Sequence, residues 1–343
     1  MTNLYIFWRK TTDPPLPWTR LTRTNQYLRF NSSISNHWTQ TGATTHIHSS
    51  ATITINNSVH LTELSILHSS PVKNVMGPHN DHPVTNYSIT KNNNNNPPGW
   101  GLDIIYTDLT NWETNVRSFP EGSIIMSNGT LVDANLERYT AADGKYIVHT
   151  TPEAVVGTNT AQSHTISGNL GNATGSTYST AYYTSLQGDE VATHSHTFNF
   201  ASEAKYVEPK NLVTRLYHVL HTTSKVVAGS VVFVDGSVSA NWEILTGWAG
   251  GNLKSGNSDP TKSGSDTHTH SLSGNSSTYD GPNVFAGNGY PSVIGWNAHY
   301  HPITGSLAAA NHVPWSRYII PARLLYDIKK TTMMNRPQII GLP

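Results

Sequence analysis

Short apolar runs, each fenced by glycine or proline, recur along a chain that is otherwise polar. In GSVVFVDGSVSANWEILT (229–246) the block Val231-Val232-Phe233-Val234 follows a Gly-Ser pair, and its β-branched residues predict a strand bounded by glycine turns. Tyr318-Ile319-Ile320, just ahead of Pro321, predicts a second strand that closes the same stretch of chain. Between them lie polar segments such as AGGNLKSGNSDPTKSGSD (249–266), and an asparagine run occupies 92–96. Segments of this kind are expected to pack no core of their own, and to be either flexible or ordered by a partner chain. No segment sustains a 3.6-residue period, so the predicted fold class is all-β.

The runs return in a fixed order. Segment 229–246 leads to HTHSLSGN (268–275), then HYHPITGSL (299–307) and PWSRYIIPARLL (314–325). Earlier, GSIIMSNGTLVDANLERYT (122–140) leads to QSHTISGN (162–169), HSHTFNF (194–200) and EPKNLVTRLYHVL (208–220). Asn135, Glu137 and His164 map to Asn241, Glu243 and His270 with a step of 106; His194, His196 and Pro209 map to His299, His301 and Pro314 with a step of 105. A more diverged copy runs through WTRLT (18–22), HIHSSAT (46–52), HNDH (79–82) and PPGWGLDIIYTDL (97–109). The expectation is three tandem β-rich repeats of about 105–110 residues, at 1–112, 113–224 and 225–343, the last with a C-terminal tail. Terminal repeats commonly diverge, which makes 1–112 the candidate attachment module.

Composition narrows the function classes. The 343 residues carry 21 basic and 21 acidic side chains and 18 histidines, and charged residues make up 12%, about half the usual share of roughly 25%. No basic face for nucleic acid is expected from this balance. The chain has no cysteine, which excludes disulfides and thiolate chemistry. The apolar stretch in MTNLYIFWRKTTDPP is too short for a signal peptide, and no run reaches the roughly 20 apolar residues of a membrane helix. Synthesis in a host cytoplasm is therefore expected, with a virion as the destination.

Several pieces in the last repeat, taken in order, resemble phage tail-collar and tail-fibre-tip domains. They are Gly229-Ser230-Val231, Asn241-Trp242, Asn252-Leu253-Lys254, His268-Thr269-His270 and Asn311-His312-Val313-Pro314-Trp315. The middle repeat departs from the pattern, with Leu136 in place of the tryptophan and Gln162 in place of the first histidine. The resemblance implies a virion part, usually trimeric, with intertwined β structure. It also implies that H-x-H motifs from three chains surround iron on a threefold axis.

Residues i and i+2 of a strand face one side, about 6.5 to 7 Å apart, so an H-x-H can converge on one cation. The pairs are His46/His48, His194/His196, His268/His270 and His299/His301, with His79/His82 looser. Three chains giving one pair each would make a six-nitrogen octahedral site suited to Fe. Alternatively, the two pairs of one repeat could converge as a four-nitrogen site suited to Zn. The competing account is metal-free, with imidazoles alternating with Thr and Ser on a solvated face.

Other residues invite weaker readings. Trp100, Tyr279, Tyr290 and Trp296 are candidates for stacking on sugars, or else core and turn aromatics. Asp133, Glu137, Asp143 and Glu243 suggest a glycosidase pair, but Glu137 and Glu243 hold equivalent repeat positions. They are expected to lie further apart than the roughly 5 to 9.5 Å such chemistry needs. No G-x-S-x-G, H-E-x-x-H or P-loop occurs, and no enzymatic activity is expected. The expected function is structural: a phage tail, fibre or baseplate protein that forms a homo-oligomer, a trimer by preference, and contacts other tail proteins. The alternatives are a fibre-tip adhesin for a host cell-surface glycan and a cellular surface filament subunit.

Overall fold

The computed structural model describes residues 2–56, 59–60, 82–89, 96–157, 161–171, 195–205, 207–223, 225–278, 284–285, 293–294 and 299–329, with 59–60, 284–285, 293–294 and 299 as backbone only. The described chain is all-β, with helical turns only at Leu109–Asn111, Trp112–Val116, Ile34–Asn36 and Thr246–Trp248. Among the described residues no helix is long and apolar enough to cross a membrane.

Three apolar runs form the centre. These opening strands are Asn3–Trp8, Ser123–Ser127 and Ser230–Val234, and each pairs with the other two. Gly122 and Gly229 precede two of them at φ of 94° and 87°, a region open to glycine at little steric cost. Each opening strand also pairs antiparallel with a closing strand: Gly99–Asp108, Asn211–Val219 and Ser316–Leu324 respectively. A third set, Gln26–Phe30, Tyr146–His149 and Asn252–Ser255, crosses between segments. Tyr146–His149 lies parallel to Gly99–Asp108, Asn252–Ser255 to Asn211–Val219, and Gln26–Phe30 to Ser316–Leu324. The pairing is thus cyclic, and all three segments share one 15-stranded sheet, which forms the base.

Burial explains the uninterrupted apolar runs. Leu4, Ile6, Trp8, Ile125, Val232 and Val234 face one core, with Trp112 and Ile320. Tyr5, Phe7, Ile124, Met126, Val231 and Phe233 face the other, with Leu253 and Ile319. A strand covered on both faces needs apolar side chains at successive positions, where a half-exposed strand would alternate.

Two expectations need correction. Segment 249–266 is ordered within the chain, because Asn252–Ser255 and Thr261–Ser263 both pair with Asn211–Val219. Backbone hydrogen bonds suffice for that, and Leu253 alone supplies a fully buried apolar side chain. Pro321 does not end its strand either: Ser316–Leu324 runs through it opposite Phe233, and its carbonyl accepts from Leu245 N. The missing N–H is tolerated there. Asparagines 92–95 lie outside the described residues.

A smaller β unit with a core of its own, called the stalk below, completes the fold. His196–Ala201, Thr165–Leu170 and Val84–Ile89 form one three-stranded sheet; Ser271–Asn275, Pro302–Leu307 and Ala51–Ile55 form another. Their alternate residues Ile166, Leu170, Phe198, Leu272, Ile303 and Leu307 enclose a small core of their own.

Candidate metal centre

Chain entry into the stalk places the histidines. His48, His164 and His270 lie just before Ala51–Ile55, Thr165–Leu170 and Ser271–Asn275, three strands that leave the base in the same direction. With His46 and His268 they form one group of five buried histidines whose ligating nitrogens all lie within 4.8 Å of one another. His46 Nε2 and His164 Nε2 are 3.1 Å apart. His82, His196 and His301 stand at the start of the returning strands and form a second buried group within the same 4.8 Å limit. The register sets His164 beyond Thr165, and pairs His196 with Leu170 at the other end. Six residues of strand separate the groups, roughly 20 Å. The stalk core is therefore closed at both ends by imidazole.

Backbone carbonyls orient the rings. His48 Nδ1 donates to Ala308 O, and His270 Nδ1 donates to Glu203 O at 2.9 Å. At the second group, His82 Nδ1 donates to Gly171 O (2.8 Å), His196 Nδ1 to Ser277 O (2.8 Å) and His301 Nδ1 to Asn56 O (3.3 Å). Each of these bonds joins one segment to another. A neutral imidazole that donates from Nδ1 carries its lone pair on Nε2, so the tautomer is set for ligation. In the first group Nε2 of His48, Nε2 of His270 and both ring nitrogens of His268 are buried with no hydrogen-bond partner. Unpaired buried nitrogens are costly, and a cation offers them a partner.

The electrostatics keep His268, His270 and His312 neutral. Burial, and then the neighbouring His46, His312, His270 and His48, lower the His268 pKa to about 2. Burial also lowers His270, and with His46 it takes His312 down to about 4. A metal–imidazole bond of about 2.1 Å sets opposite ligands of one ion about 4.2 Å apart and adjacent octahedral ligands about 3.0 Å apart. The nitrogens lie within 4.8 Å of one another, so the five residues could hold a metal ion.

The histidines expected from the sequence divide as follows. His46, His48, His268 and His270 meet in the first group, and His196 and His301 in the second. His194 lies outside the described residues, and His299 is described only by its backbone, which pairs with His60. The two pairs of the last segment do not converge on each other: His268 and His270 lie in one group, His301 in the other. His164 was not among the expected ligands, and His82 was offered only in the looser His79/His82 pair. The repeat step from His164 to His270 carried the signal for the first, and the looser HNDH for the second. His312 packs edge-on against His46 and His268, with ring centroids 5.5 and 5.1 Å away, and no repeat position announced it.

Among the remaining candidates, Trp100, Asp143 and Glu243 have structural partners. Trp100 is half-buried, donates from its indole to Tyr139 Oη at 2.8 Å, and carries the Lys145 ammonium 4.1 Å over its ring. Asp143 pairs with Arg138 at 2.6 Å, and Glu243 pairs with Arg323. Tyr279, Tyr290 and Trp296 lie outside the described residues. Compared with family models, curated proteins and solved structures, the chain matches none of them.

Proposed function

We propose that this chain is a structural protein of a phage tail, a fibre-tip or collar-like part, whose stalk is held together by metal at its histidine groups. The observation that carries the reading is the convergence of five imidazoles from three distant segments, His46/His48, His164 and His268/His270, on one point. In the tail-fibre domains the sequence resembles, three chains supply such pairs; here three segments of one chain do so. The fully β architecture and the carbonyl-anchored tautomers support the same reading. Five imidazoles exceed the four ligands of a structural zinc site, which favours a six-coordinate ion, Fe(II) foremost. Virion placement and contacts with other tail proteins belong to the proposal.

The test replaces His268 and His270 together with Ala and compares metal content and melting temperature with wild type, with and without a chelator. Wild type is expected to carry iron and to lose melting temperature on chelation, and the variant to lack that response. A metal-free wild type indifferent to chelator would reduce the histidines to polar packing. Mass spectrometry and immunogold labelling of purified phage particles test the placement, and absence of the chain from tails would refute it.

A further inference from the structure

The first histidine group is asymmetric in a way that bears on its chemistry. Backbone pairing puts Gln162 opposite Lys205, and His268 opposite Ala310. The steps from 162 to 268 and from 205 to 310 are the repeat steps of 106 and 105, so the glutamine holds the place of the histidine. The residue is as buried as His268, at 5% exposed against 7%. One of the three pairs thus reads Gln-Ser-His, and the group has five imidazoles. A carboxamide oxygen is a neutral, hard donor that competes poorly with imidazole, or with a small π-acceptor, for a late first-row ion.

A second observation concerns access. A surface cleft lined by Lys205, Glu208, Ser265, Thr267 and His268 opens next to this place. It touches both the strand partner of Gln162 and His268, whose two ring nitrogens are both without a hydrogen bond. His312, the remaining imidazole nearby, stands against His46 and His268 but outside the group of five.

We infer that the first group, once loaded with an ion of the Fe(II) type, keeps one coordination position beside Gln162 for a small exogenous ligand of two or three atoms that enters by this cleft. The inference rests on the metal reading above. It makes this end of the stalk a binding site as well as a staple.

Full-length protein is loaded anaerobically with Fe(II), and iron content and the electron paramagnetic resonance of the iron–nitrosyl complex are read for wild type, Gln162→His and His312→Ala. Wild type is expected to bind nitric oxide. Gln162→His restores the residue found in the other two copies, and it is expected to lose about one nitrosyl equivalent per chain at unchanged iron content and undiminished melting temperature. Equal signals from wild type and Gln162→His overturn the inference. A wild type that is silent while His312→Ala responds also overturns it, because His312 would then be the sixth ligand. Protein that takes up no iron refutes the metal reading itself, whereas iron without nitrosyl refutes only the open position.

Discussion

The base and the stalk are built from the same three segments, yet they hold together for different reasons. In the base, strands covered on both faces carry large side chains into two cores, and Phe7 meets Phe233 edge-to-face at 4.9 Å. In the stalk, six strands share six fully buried apolar residues, and each end is closed by a group of histidines. At roughly 1.5–3 kcal/mol per buried large apolar side chain, the base has stability to spare and the stalk has little. The lesson is that cyclic strand exchange lets a well-packed region carry a thin one, provided something ties the thin region together at its ends.

The sharpest way to break this contrast is a core truncation on each side. Phe233→Ala is expected to cost about 3–5 kcal/mol and to unfold base and stalk together, seen as a lower urea midpoint for the whole chain. Leu272→Ala, at about 2–5 kcal/mol, is expected to expose only stalk amides to hydrogen exchange while base amides stay protected. Global loss of protection in Leu272→Ala would mean that the two regions are one cooperative unit.

Metal comes next in size. With free ion at 100 times its dissociation constant, loading adds about 2.7 kcal/mol, and the gain is expected in the stalk alone. Because each group is assembled within one chain, elemental analysis should approach one ion per occupied group per chain. A ratio of one ion to three chains would instead require sites shared between copies, and native mass would show the trimer.

Acid probes the base through histidines remote from the stalk. Burial lowers His149 and His37 to about 4, against an ordinary value near 6.5. At these two residues the unfolded chain takes up a proton below about 6.5, while the folded chain does not until about 4, so their contribution to stability is level above pH 6.5 and falls between 6.5 and 4. His149, fully buried, contributes a slope of about 1.4 kcal/mol per pH unit in that window. His149→Gln should flatten the urea midpoint against pH there, and an unchanged slope would refute this assignment. The smallest effect is expected at the surface: removing the Glu243–Arg323 pair by Glu243→Gln should cost under about 1 kcal/mol in urea titrations, and less in high salt.

By itself the sequence determined the fold class and most of the chemistry. The run Val231–Val234 admits a strand reading because β-branched and aromatic residues bounded by glycine form strands. The steps of 106 and 105 already aligned His164 with His270 and exposed Gln162 as the odd residue. Tertiary structure alone decided which strands exchange partners. Register between segments a hundred residues apart depends on matching two cores at once, and no local pattern records that. For the same reason the polar stretch at 252–255 became a strand: its neighbours supply hydrogen bonds that its own side chains do not advertise. Likewise, only the cyclic packing set the first pair of each segment against the first pairs of the others, since an imidazole's neighbours are chosen by strand order and not by the residues beside it in the chain.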